Sequence, residues 1–186
     1  SVDEAVAQAR RMRYPVVLKT AMPGIQHKSD VGGVHLDLRS ARQVTSTYSD
    51  LAARLGPRAM IAPMAGRGVE MSLGIVADPQ FGPLVMVGSG GILVELLADR
   101  RVILPPCGDS DARRQIDKLK ARRLLDGMRG QPAADVAALA RAVAALSVLA
   151  AELGDLIAGL DINPVIVGAT GCVAVDALVI PRTIAS

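Results

Sequence analysis

An α/β chain folded as two α+β lobes, residues 1–62 and 63–186, is what this 186-residue sequence predicts. Three observations carry that expectation. The first sixty residues read helix, strand, glycine loop, strand, helix. A Pro/Gly/Ala stretch inside "RAMIAPMAGRG", Arg58 to Gly68, then reads as a hinge near residue 64. Beyond it, several short apolar runs are interrupted by only two helical patterns. Apolar residues make up 51% of the chain, enough for a sizeable core. Aromatics are 2%, so that core must be aliphatic, and stacking platforms for single-stranded nucleic acid are absent.

The elements follow in order. "SVDEAVAQARRM" predicts a helix with Ser1 as N-cap and Glu4 closing a capping box. A chain that opens on a helix cap reads as part of something longer, and we carry that as an expectation. Pro15 to Lys19 predicts an apolar strand, and "HKSDVGG", His27 to Gly33, a polar glycine loop after it. Val34 to Leu38 alternates as a half-buried strand. Ser40 caps a helix to about Leu55 with the stripe Val44, Tyr48, Leu51 and Leu55. In the second lobe, strands are expected at Val69–Val76, Pro83–Val87, Ile92–Leu97, Leu160–Val167 and Cys172–Val179. Helices are expected at about Ser110–Gly127 and Ala134–Leu153. In the latter, Val136, Leu139, Val143, Leu146, Leu149 and Leu153 form one apolar face.

Charge and cysteine usage bound the function. Net charge is +3, from 21 basic and 18 acidic residues, and the basic run Arg113–Arg123 reads as a solvated helix face, with a phosphate-bearing partner as the alternative. Neither a nucleic-acid nor a membrane partner is expected: Arg141, Glu152 and Asp155 interrupt the most apolar long segment. Cys107 and Cys172 form neither a disulfide framework nor a metal-ligand spacing, which suits a reducing cytoplasm.

Three groups of residues could carry chemistry. Lys19 at a strand end, followed by a glycine loop, is a way to hold phosphates, because bare backbone N–H groups approach closely and lysine adds a point charge. The competing reading is a surface lysine and an ordinary turn. "LDINPVIVGATGCVAVDALV" reads as a hairpin turning between Ala169 and Thr170, so opposed residues have numbers summing to about 339. Asn163 then faces Asp176, and Asp161 shares their side of the strand if no bulge intervenes. Hard oxygens of this kind suit Mg²⁺ that is also held by substrate phosphates, although Pro164 signals an edge strand or a bulge. Glu70 lies on the polar side of the strand after the hinge, as a ribose acceptor, a second metal ligand or a solvated residue. Glu95, in an apolar run, reads as ion-paired with an arginine such as Arg100.

"YPVVLKTAMPGIQHKSDVGGV", "DPQFGPLVMVGSGGILVELLAD" and "LDINPVIVGATGCVAVDAL" occur in an order that resembles the ATP-grasp domain of NDP-forming acyl-CoA synthetases. That family includes ADP-forming acetate–CoA ligase and is similar to the β subunit of succinyl-CoA synthetase. The resemblance covers nearly the whole chain. It implies an ATP-grasp fold with a nucleotide cleft between two lobes, the first lacking a strand and helix before Ser1. It implies that acid, CoA and ATP give acyl-CoA, ADP and phosphate through an acyl phosphate and a phosphohistidine. The cofactors are then ATP/ADP and Mg²⁺. CoA, the carboxylic acid and the first phosphorylated histidine belong to CoA-binding and ligase domains of the same protein or a partner subunit, in an oligomer, and the isolated chain is expected to be inactive.

Residue by residue, the resemblance gives Lys19 to the phosphates, Gly32 and Gly33 to the loop over them, and the backbone of Ala62, Met64 and Ala65 to adenine. It gives Glu70 to the nucleotide and Asn163 with Asp176 to Mg²⁺. His27 matches a loop histidine that relays the phosphoryl group, a task suited to a side chain that is nucleophilic when neutral. Ala62 departs from the Gln or Glu common at that position, which leaves base preference open. Two other readings are a regulatory, non-catalytic module of an acetyltransferase fusion and a carboxylate–amine ligase. Such fusions tend to lose the histidine, whereas His27 is present, and "HKSD" is not expected in the second class.

Overall fold

The computed structural model describes residues 1–91, 98–127, 130 and 132–182, which divide into two compact units, Ser1–Met64 and Ala65–Ser186. In the first, α1 (Val2–Met12) starts on Ser1, whose hydroxyl accepts from the Glu4 N–H, and both halves of the expected capping box form. β1 (Val16–Thr20) is the middle of a three-stranded antiparallel sheet, between β2 (Val34–Leu38) and β3 (Ala59–Pro63). α2 (Ala41–Leu55) is capped by Ser40 and buries Val44, Tyr48 and Leu51. These close with Ala5 and Ala9 of α1 over Val16 and Leu18, so one face of β1 belongs to the helices.

The alternation expected for β2 is not there. Between its pairings Val16–Leu38 and Leu18–His35, β2 carries an extra residue. Asp37 takes a left-handed φ of 59°, and Leu36 is exposed. A bulge of this kind reverses which side chains face the core, so a period of two does not survive it.

The second unit is a six-stranded antiparallel sheet. Its elements are β4 (Val69–Asp78), β5 (Gly82–Ser89), β6 (Arg100–Ile103), β7 (Ile157–Val167), β8 (Cys172–Ala174) and β9 (Leu178–Pro181). The order is β6-β5-β4-β7-β8, with β9 also on β7. Met71, Leu73, Ile75, Val85, Val87, Val165 and Val167 point to one face and form a single core with Val136, Leu139, Val143 and Leu146 of the long helix. That helix follows α3 (Asp109–Ile116) and is α4 (Val136–Leu153), capped by Asp135. α4 is long and apolar enough to cross a membrane by composition, but its apolar face is buried against the sheet.

Several boundaries differ from expectation. The helix expected over Ser110–Gly127 stops at Ile116 and resumes as a 3-10 turn, Lys120–Asp126, whose start is held by the buried Asp99 carboxylate on the Ala121 N–H at 2.7 Å. Its basic run is ion-paired on the surface, Arg113 and Arg122 with Asp117 and Arg114 with Asp111. Arg122 foremost, through its hydrogen bond, holds the Asp117 carboxyl below the usual range. β6 was not expected at all: four residues opening on two arginines carry too little pattern. The strand expected at Ile92–Leu97, with Glu95, lies outside the described residues.

Candidate functional site

In the first unit, β1 sets the geometry. Leu18 faces the helices, so Val17 and Lys19 face the other side, and the antiparallel register places Ala62 beside Val17 and Met60 beside Lys19. Lys19 and Ala62 thus share one sheet face. Lys19 is 6% exposed, penultimate in its strand and buried, not a surface residue at a strand end. Met64 is tied down at the end of this unit: its N–H donates to the Pro15 carbonyl at 3.3 Å, and its sulfur accepts from the Asp37 N–H. Ala65 begins the second unit.

The loop between β1 and β2 carries His27, which is exposed. The two glycines at its end serve different needs. Gly32 has φ +60°, a left-handed conformation that favours glycine. Gly33 is buried, and a Cβ there would come within 2.7 Å of the Thr20 methyl and 2.9 Å of the Lys28 carbonyl. Its N–H donates to that carbonyl at 2.7 Å, and its own carbonyl accepts from the Thr20 N–H at 2.8 Å. Arg54, the penultimate residue of α2, donates to the Val31 and Gly32 carbonyls at 3.2 Å each while Asp50 holds its Nε. Sequence reasoning missed Arg54, because an arginine near a helix C-terminus has an ordinary helix-dipole explanation.

In the second unit the hairpin register is the one expected. Val165–Ala174, Ile166–Val173 and Val167–Cys172 pair with numbers summing to 339, and so do Gly159–Ile180, Leu160–Val179 and Asp161–Leu178. Between these two ladders residues 175–177 are not strand, although the Val175 N–H still donates to the Pro164 carbonyl at 3.1 Å, so the single strand expected over Cys172–Val179 is broken. Asn163 and Asp176, whose numbers also sum to 339, lie between the two ladders and are not a ladder pair. The reason lies on the other edge of β7, where Met71 pairs with Val165 but Leu73 with Ile162, leaving Asn163 and Pro164 opposite Ser72 alone. Leu160 and Ile162 pack on the core before this bulge, and Val165 and Val167 after it. Asp161 and Asn163 therefore do share a face, the one opposite the core, and it is also the face of Glu70, whose partner is Ile166.

Two further contacts join this group. The Gly91 N–H donates to Asn163 Oδ1 at 3.2 Å, and the Gly90 N–H to the Glu70 carbonyl at 2.9 Å. Asp176 Oδ1 accepts from the Ala177 N–H at 3.1 Å. The donor types suit Mg²⁺: an amide oxygen already oriented by one N–H keeps a second lone pair, and carboxylates lie on the same strand and on the one beside it. No group of three or more His, Cys, Asp or Glu gathers among the described residues, so the remaining ligands would be phosphate and water oxygens. Asp135, at the start of α4, ties the hairpin turn to the helix by accepting from the Ala138 and Gly171 N–H groups.

The family model for the ATP-grasp domain matches residues 1–180, spanning the buried lysine and glycine loop of the first unit and the polar sheet face of the second. The chain belongs to the ATP-grasp family, among the components of ADP-forming acyl-CoA synthetases. It is 37% identical over 190 residues to the β subunit of acetate–CoA ligase (ADP-forming) II of Pyrococcus furiosus, covering 97% of this chain and 80% of that one. It superposes with TM-score 0.93 at 38% identity on the dinucleotide-forming acetyl-coenzyme A synthetase 1 of Ca. Korarchaeum cryptofilum in complex with coenzyme A and Ca-AMPCP, covering 98% of this chain and 82% of that one. A second structure of that enzyme, with coenzyme A and Mg-AMPPCP and its phosphohistidine segment pointing towards the nucleotide-binding site, gives TM-score 0.87 at 39% identity, covering 98% and 83%.

Proposed function

We propose that this chain binds ATP/ADP with Mg²⁺ and exchanges a phosphoryl group with a phosphohistidine of its synthetase, which converts acid, CoA and ATP to acyl-CoA, ADP and phosphate. Lys19 meets the phosphates, Gly32 and Gly33 belong to the loop that covers them, and the Ala62, Met64 and Ala65 backbone meets adenine. Glu70 stands in the nucleotide region, and Asn163 with Asp176 holds Mg²⁺. Bound there, the ion neutralises phosphate charge as it shifts between ADP and the accepting group. His27 is the relay on the β1–β2 loop. CoA and the acid bind to partner domains or a partner subunit, in an oligomeric, cytoplasmic enzyme.

The observation that supports this reading is the register preserved on both sides of residues 175–177, from which the opposition of Asn163 and Asp176 is inferred. The Mg-nucleotide complex of the synthetase from Ca. Korarchaeum cryptofilum supports it. Calorimetry of ADP binding with and without Mg²⁺ tests it on the assembled enzyme. Asp176→Asn keeps the shape and removes the charge, so Mg²⁺-dependent affinity falls at least roughly tenfold while Mg²⁺-free affinity holds. Unchanged Mg²⁺ dependence refutes the assignment.

A further inference from the structure

The turn after β5, Ser89-Gly90-Gly91, lies against the start of β4. Ser89 is buried and pairs with Met71, and a Cβ on Gly90 would press on the Met71 backbone at 2.7 Å. Gly90 is therefore glycine for packing. Gly91 is glycine for two other reasons. Its φ is +57°, and a Cβ there would overlap the Glu70 carboxylate oxygen Oε2. Its N–H meanwhile donates to Asn163 Oδ1, 72 residues along the chain. One residue thus touches two polar side chains of this sheet face, Glu70 by the space it leaves and Asn163 by the hydrogen bond it gives.

We infer that Gly91 is a positioning residue for the cation site: its N–H aims the Asn163 amide oxygen, and its bare Cα leaves the room in which the Glu70 carboxylate stands. The inference rests on the reading of Asn163 as a Mg²⁺ ligand. An amide can turn about its terminal torsion and present either oxygen or nitrogen, which differ completely toward a cation. A fixed donor on Oδ1 settles that orientation before the ion arrives, as outer hydrogen bonds do for metal ligands generally. Loss of Gly91 therefore acts on cation affinity first and on Mg²⁺-free nucleotide binding little.

The test is a Mg²⁺ titration of ADP binding by calorimetry on the assembled enzyme, run for Gly91→Ala, Gly82→Ala and Asn163→Ala. Gly82 has φ +75° with nothing within 4 Å of a Cβ, so it carries the same backbone cost without the contacts. For Gly91→Ala, the Mg²⁺ concentration for half-maximal binding rises roughly 10- to 100-fold, the range for removing a partner that orients a ligand. Mg²⁺-free ADP affinity stays within about threefold. Melting temperature falls no further than in Gly82→Ala. A Mg²⁺ requirement equal to that of Gly82→Ala, with Asn163→Ala impaired, overturns the positioning role and leaves the metal reading standing. An unimpaired Asn163→Ala overturns both. Should Gly91→Ala not fold, Gly91→Ala/Glu70→Asp, whose shorter acid clears the methyl, is titrated against Glu70→Asp alone, with the same two outcomes.

Discussion

Gly33→Ala is the sharpest perturbation of the phosphate loop, because its cost can be worked from distances. The new Cβ would stand 2.9 Å from the Lys28 carbonyl oxygen and 2.7 Å from the Thr20 methyl, with Leu55 at 3.3 Å. A backbone carbonyl cannot turn aside as a side-chain end can, so the loop must move. Overpacking of this kind costs about 1–3 kcal/mol. The carbonyl that moves is also the acceptor of the Gly33 N–H at 2.7 Å, which adds about 1 kcal/mol net. The closed loop thus loses about 2–4 kcal/mol, or roughly 30- to 700-fold in its population relative to open forms. If the closed loop is the form that binds phosphates, ADP affinity falls in proportion to the closed population that remains. Hydrogen exchange of the Thr20 amide, bonded to the Gly33 carbonyl, reads the opening, and calorimetry reads the affinity. Gly32→Ala is the comparison, since it meets only Arg54 at 3.8 Å and pays about 1–2 kcal/mol for its left-handed backbone. Exchange and affinity in Gly33→Ala no worse than in Gly32→Ala would refute the reasoning.

Arg54→Gln removes two hydrogen bonds to loop carbonyls, worth about 1 kcal/mol each. Faster exchange at residues 31–33 and several-fold weaker ADP binding are expected, with the α2 amides unaffected. Asp135 gives a pH signature. The Ala138 N–H first, then that of Gly171, holds its carboxyl below the usual aspartate range. Its contribution is therefore complete above the unfolded aspartate value and is lost as pH falls through the lowered folded value. Asp135→Asn keeps the cap without the titration, so the melting-temperature gap between the two proteins closes on acidification; a gap constant with pH would count against it. In the assembled enzyme, His27→Ala should abolish turnover while ADP affinity stays near normal. His27→Gln keeps a hydrogen bond and loses nucleophilicity, so near-normal turnover in that variant, followed by labelled phosphate transfer from ATP, would end the relay role.

What the sequence revealed depended on whether a feature was local or paired. The capping box at Ser1, the α2 stripe and the hairpin register follow from spacing within one segment, and the structure keeps them. Lys19 read as a strand end, because nothing in "YPVVLKT" says that β2 and β3 flank it and bury it. The alternation of Val34–Leu38 failed at a bulge made with β1, and the strand Cys172–Val179 broke opposite a bulge made with β4. Both are properties of a pair of strands and not of one. Gly91 and Arg54 were missed for the same reason, since their partners lie 72 and 22–23 residues away. A glycine pair and a helix-end arginine each have an ordinary explanation until those partners are in view.

The bulge at Asn163–Pro164 explains how one strand serves both the core and the candidate cation site. With unbroken alternation, Asp161, Asn163, Val165 and Val167 would all project to one side. Val165 and Val167 are 2% and 0% exposed beneath α4, so the carboxylate and the amide would be driven into an aliphatic core, where polar groups without partners are costly. The extra residue opposite Ser72 reverses the parity after Asn163. The same strand then presents Asp161 and Asn163 to the face of Glu70 and its valines to the helix. The neighbouring strand makes the same reversal between Ala174 and Val179, which pair with the core-facing Val165 and Leu160. Two adjacent strands that reverse together keep a common register, and that is why the ladders on either side of residues 175–177 sum to the same number. The departure from regular sheet at 175–177 thus falls beside the bulge that turns Asp161 and Asn163 away from the core, between two ladders that keep one register.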